Sequence, residues 1–165
     1  MSVKKLTYTA ILSAIATICS VVVYIPLGLV KAFPIQHTIN VISAVLLGPQ
    51  FAVMQALITS TLRILLGTGS IFAYPGSVIG ALLAGIIYKK TKKIFPTVLA
   101  EMVGTGIIGA LATYPIAIFL LGKEATLFGL MPVFLVSSCC GALIAYAFLG
   151  VIIRSNVIER VEQLK

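Results

Sequence analysis

The chain has 165 residues, 60% of them hydrophobic and only 10% charged, with a mean hydropathy of +1.16 and a net charge of +8. Soluble domains carry about 25% charged residues, and a soluble fold of this length could not hide so much apolar surface. A soluble enzyme or binding domain is therefore excluded, and the composition points to a single-domain, all-α integral membrane protein. The positive charge does not indicate nucleic-acid binding, because the basic residues sit at the edges of apolar runs and read as topology signals.

The apolar runs divide at Pro, Gly and charge into six predicted helices. The first covers 5–27. Its start resembles a signal peptide, two lysines before an apolar core, but Leu6 to Tyr24 approaches the ~20 residues a span needs, so it is read as an uncleaved first span. The second helix covers 37–47 and ends at Gly48-Pro49, since proline cannot continue the helix before it. The third covers 50–66 and the fourth 76–88, closing in the block Lys89, Lys90, Lys92, Lys93. The fifth covers 95–121 and the sixth 127–153, followed by a short amphipathic tail at 156–164.

Six spans with cytoplasmic N- and C-termini put nine of the twelve basic residues inside, leaving Lys31, Arg63 and Lys123 elsewhere. Merging the second and third helices would throw the lysine block outside. The second and fourth helices, at about 1.5 Å per residue, fall short of a ~30 Å hydrocarbon core. Chain at 28–36 and 67–74 must complete them on the outer side. Irregular backbone at membrane depth is tolerated only where it is buried in protein or lines a cavity, and broken helices often mark a transporter's binding site. An outward-facing pocket capped by two loops is expected.

The candidate binding residues follow from that geometry. His37 and Asn40 share a face of the second helix, with Gln36 just before it. Arg63 lies in the last turn of the third helix, where it could close the pocket or snorkel to headgroups. Tyr74 and Ser77 mark the passage from the outer loop into the fourth helix. Phe72, Tyr74, Tyr114 and Tyr146 could stack on a flat ligand or anchor at the interface, and Ser138 stands on the same helix as Tyr146. Glu101 is the one acid inside a predicted span, with Thr105 on its face. A carboxylate there is either a functional group or an interhelical or partner contact.

Small residues four apart (Gly76, Gly80 and Ala84; Ser137, Gly141 and Ala145; Ala10 and Ala14) allow close helix approach, within the bundle or, for helix 1, onto another membrane subunit. Cys19, Cys139 and Cys140 have no metal-ligand spacing and read as small core residues. No phosphate-binding loop, HExxH or acid pair is present. No metal or cofactor is expected on this chain, and any ATP would be used by partners.

The segment GTGSIFAYPGSVIGALLAGIIYKKTKK (67–93), together with EMVGTGIIGA (101–110) and the Ala10/Ala14 pair, resembles the substrate-binding S components of energy-coupling factor (ECF) transporters, specifically the ThiW-type family. The resemblance covers nearly the whole chain. It implies an ECF S-component-like bundle in the prokaryotic plasma membrane, which is not an enzyme. It also implies uptake of the thiazole precursor of thiamine, hydroxyethylthiazole, and docking through helix 1 onto a membrane coupling (T) subunit driven by two ATPase subunits. Another vitamin or precursor, such as a pyrimidine or thiamine, is the nearest alternative; a membrane scaffold without a ligand is the alternative from another class.

Overall fold

In a computed structural model, residues 3–28, 30–120, 122 and 128–154 are described; the tail at 156–164, Lys123 and the start of the predicted sixth helix lie outside them. The helices are α1 (Val3–Val22), α2 (Pro34–Leu47), α3 (Pro49–Leu65), α4 (Ala73–Thr91), α5 (Ile94–Val103), α6 (Ala110–Pro115) and α7 (Met131–Arg154). α5 and α6 belong to one rod, Ile94–Leu120. It winds as a π-helix over Gly104–Gly109 and again over Ile116–Leu120. The second π stretch follows Pro115, which has no N–H to give to the helix.

Two expectations need correction. The first helix stops at Val22, not at 27, and Ile25–Leu27 pairs antiparallel with Val30–Ala32 as β1 and β2. The run Val21-Val22-Val23 is stiff at χ1, Pro26 disfavours helix before it, and Gly28 takes φ +65° to open the turn. The fold is thus helical with one hairpin. The fourth helix is not short: α4 has 19 residues, starting before the expected 76 because a proline within the first turn, here Pro75, costs no intrahelical bond. α2 remains short at 14 residues, and the hairpin completes its end.

The side-chain contacts fix how the rods run. Gln36 near the start of α2 bonds Ser60 near the end of α3, so these two are antiparallel about Gly48, whose φ is +90°. Ser60 meets Ser77 at the start of α4. Gly76 and Gly80 on α4 face Gly109 and Gly104 on the next rod, which therefore runs back. α7 follows α2 in the same direction, with Ser137 beside Phe33 and Gly141 against Pro34 and His37. The six rods alternate between a hairpin end and a lysine end, where Lys5, Lys89 and Lys92 surround Gly48 and Pro49.

The polarity of α1 is inverted relative to a helix on the surface of a soluble protein. On α1, Ile11, Ile15, Ile18 and Val22 face outward, while Thr9, Ser13, Thr17 and Ser20 face inward. Each inward hydroxyl donates to the carbonyl four residues earlier, at 2.6–2.8 Å, so it can be buried at little cost. α2 is buried around nearly its whole circumference. Three rods are long and apolar enough to cross a membrane: Val3–Val22, Ile94–Leu120 and Met131–Ile152.

Between lipid-facing helices there is no hydrophobic drive to associate, so close packing has to supply it. Gly80 gives the closest approach. A Cβ there would overlap Thr105 Oγ1 and touch Glu101 Oε1. Gly80→Val is expected to destabilise the bundle by about 1–3 kcal/mol. Gly150→Ala, where nothing lies within 4 Å, is expected to change little; thermal unfolding in detergent measures both.

Candidate functional site

A cavity of about 380 Å³ opens at the hairpin end. That is within the range of small-molecule sites. Its walls are β2 and Phe33, the first turn of α2, the end of α3 with the loop Gly67–Ser70, the first turns of α4, and the start of α7. Phe33, Phe72 and Phe134 supply flat apolar surface. Gln36, His37, Arg63, Thr68, Ser70, Ser77 and Ser137 supply polar groups.

Arg63 organises this end. Its carbonyl accepts the N–H groups of Thr68 and Gly69, at 2.9 and 3.0 Å, and the Thr68 hydroxyl. Its Nη2 donates to Thr68 O at 3.0 Å. The head group of Arg63 therefore staples the loop that its own helix leads into. Its Nη1 donates to Gln36 Oε1, and its guanidinium carbon lies 3.9 Å from the centre of the Phe33 ring. The Phe33 N–H in turn donates to Ser137 Oγ at 2.9 Å, tying the hairpin exit to α7.

From Arg63 a chain of bonds runs in one direction. An acceptor is needed for Nη1, so the Gln36 amide presents its oxygen there and its nitrogen to Ser60 Oγ, at 2.9 Å. Ser77 gives its proton to Ala73 O at 2.7 Å. Each hydroxyl has a single proton, so Ser60 is the donor in its 2.8 Å contact with Ser77. Four buried side chains from α2, α3 and α4 are thereby held in register.

A second polar group lies deeper. His37 Nδ1 is 2.8 Å from Glu101 Oε1. The same oxygen is 2.8 Å from Thr105 Oγ1, which is also 3.0 Å from Gly76 O. Glu101 is fully buried, and its Oε2 has no partner. Whichever of the pair carries the proton, Nδ1 is committed to Glu101, leaving Nε2 uncommitted on a ring that lines the cavity.

The residues singled out from sequence divide into three groups. Gln36, His37, Arg63 and Ser77 line the cavity, as does Phe72. Glu101, Thr105 and Asn40 stand one layer behind: Asn40 donates to Ser77 O at 3.3 Å, and Ser138 donates to Leu135 O on its own helix. The three remaining tyrosines do not line it. Tyr74 is clipped to Thr61 on an exposed face, at 2.8 Å. Tyr146 is exposed and packs edge-on against Phe95, 6.3 Å away, toward the lysine end. Tyr114 is half-buried on α6, away from the walls. Lys31 is exposed at the edge of the cavity, with its ammonium 4.2 Å from the Tyr24 ring centre.

Phe134 and Ser137 line the cavity without having been anticipated, whereas Phe33, Thr68 and Ser70 lie in the two loops expected to cap it, though none was named individually. For Ser137 a signal existed, since it heads the stripe with Gly141 and Ala145, which reads as packing alone. Phe134 could have been sought opposite Gly76, whose missing side chain makes room for its ring. Ala10 and Ala14 are exposed on α1, whereas the other small-residue stripes are buried inside the bundle.

The model of one family, described as thiamine-precursor transporter protein (ThiW), matches residues 6–155. No curated protein and no solved structure matches the chain.

Gln36→Leu removes the acceptor of a buried guanidinium and the donor to Ser60. It is expected to cost about 1–3 kcal/mol. Tyr74→Phe, at the exposed clip, is expected to stay within ~0.5 kcal/mol of the parent. Thermal midpoints in detergent separate the two.

Proposed function

Because the chain belongs to the ThiW family of thiamine-precursor transporter proteins, we propose that it is the substrate-binding membrane subunit of an ATP-driven ECF importer and that it binds hydroxyethylthiazole. The observation that carries this reading is the cavity at the hairpin end, opposite the lysines. Placing the lysine end in the cytoplasm satisfies the positive-inside bias, makes all six rods spans, and turns the cavity outward. The start of α1 and the end of α7 then lie inside.

The cavity suits capture rather than chemistry. Its aromatic walls can take a flat ring, and its hydroxyls and amide can orient a small number of polar atoms. His37, held by Glu101, offers one fixed ring nitrogen. The exposed Ala10/Ala14 face of α1 is the reading's docking surface for a membrane coupling subunit, since small residues there are not consumed by packing within the chain. Two ATPase subunits bound to that partner supply the energy.

Titration of the purified protein with hydroxyethylthiazole, with pyrimidine precursors and thiamine as competitors, tests the assignment. Saturable binding of the thiazole alone supports it; binding of a different precursor moves the chain to that substrate, and binding of nothing leaves a scaffold. Glu101→Gln is expected to weaken binding about 10-fold, the scale of one charge-assisted hydrogen bond. Ala14→Trp is expected to abolish uptake in cells while leaving binding to the isolated subunit intact. Loss of binding in Ala14→Trp would return that face to internal packing.

A further inference from the structure

The cavity holds a buried positive charge with no counterion among the described residues. Arg63 is 3% exposed and lines the wall. Both of its hydrogen-bond acceptors, Gln36 Oε1 and Thr68 O, are neutral. Its Nε has no partner at all. A guanidinium has five N–H groups; two are used, so three are left. The one carboxylate among the described residues, Glu101, is already committed to His37 and Thr105. Glu124, Glu159 and Glu162 lie outside them.

The surroundings reinforce the sign. Lys31 lines the outer edge of the same cavity, with its ammonium over the Tyr24 ring. The first turns of α2 and α4 and the start of α7 meet at the walls, so three helix dipoles present their positive ends there. A charge taken from water and matched only with neutral acceptors is incompletely compensated. A planar guanidinium with spare N–H groups is suited to an oxyanion.

We propose that the ligand of this cavity carries an oxyanion that completes the coordination of Arg63, so that the preferred form of the precursor is the phosphate monoester of the thiazole alcohol. The proposal rests on the binding reading above. The ring lies against Phe33, Phe72 and Phe134, the phosphate oxygens face Arg63, and Lys31 stands at the rim. His37 Nε2 is then free to address the ring.

The test is isothermal titration of the full chain in detergent with hydroxyethylthiazole and with its phosphate monoester, at low and high salt, for the parent, Arg63→Gln and Lys31→Gln. The monoester is expected to bind at least about 10-fold more tightly than the alcohol, and its affinity alone should fall with salt. Arg63→Gln should erase the preference. Because Arg63 also staples a loop, Lys31→Gln, at an exposed position, is the second variant; it should reduce the preference about 3-fold with an unchanged thermal midpoint. Equal or tighter binding of the alcohol, indifferent to Lys31→Gln, overturns the oxyanion while leaving the thiazole site standing. Binding of neither compound by the folded parent overturns both.

Discussion

The guanidinium of Arg63 ties the hairpin exit at Phe33 and the start of α2 at Gln36, both distant in sequence, to the loop at Thr68 and the end of its own helix. Through Gln36 and Ser60 it reaches Ser77 at the start of α4. Two properties make this more than a set of contacts. An arginine stays protonated, so it only donates, and it fixes which way the Gln36 amide turns. Each hydroxyl beyond has one proton, so the direction set at Arg63 is inherited down the chain. The floor and one wall of the cavity are thus specified by a single cation.

That arrangement suits a bundle whose interior mixes an aliphatic cluster with many small and polar residues. Where lipid-like aliphatic side chains cover the surface, burying more of them gains nothing, and the interior is free to be polar or small. α1 shows the pattern directly, with hydroxyls inward and isoleucines outward. The glycine crossing between α4 and the π-wound rod brings backbones together and leaves room for Glu101 and Thr105 between them. Buried polar groups then find partners across helices, as His37 and Glu101 do. The extra residue of a π turn shifts side-chain facing along the rod, so helical spacing alone misjudges which of its residues look into the bundle.

The helical segments were legible because their signals are local. Gly48-Pro49 breaks a helix whatever surrounds it, and the lysine block closes another. The hairpin was not legible, since three-residue strands have no periodicity to detect and their pairing depends on where Ala32 is buried. Gln36, His37, Arg63 and Ser77 could be named because polar residues in apolar runs are costly unless used. Tyr74 and Tyr146 were misplaced relative to the cavity for a converse reason. A tyrosine is content at an interface or in a pocket, and its residue type does not distinguish them. Phe33 gave no signal of its own, being an apolar residue among many.

The sequence by itself determined a membrane-compatible helical chain, the breaks between its helices, the clustering of lysines, and membership of a family through motifs spread along its length. These depend on composition and on interactions within a few residues. Only the tertiary structure decided which polar residues meet. Arg63 and Gln36 are 27 positions apart, and His37 and Glu101 are 64 apart. It also decided that Ala10 and Ala14 face outward while the other stripes are consumed inside. Such pairings are set by how rods of fixed length and small-residue faces fit against one another, and that fit is a property of all the helices together.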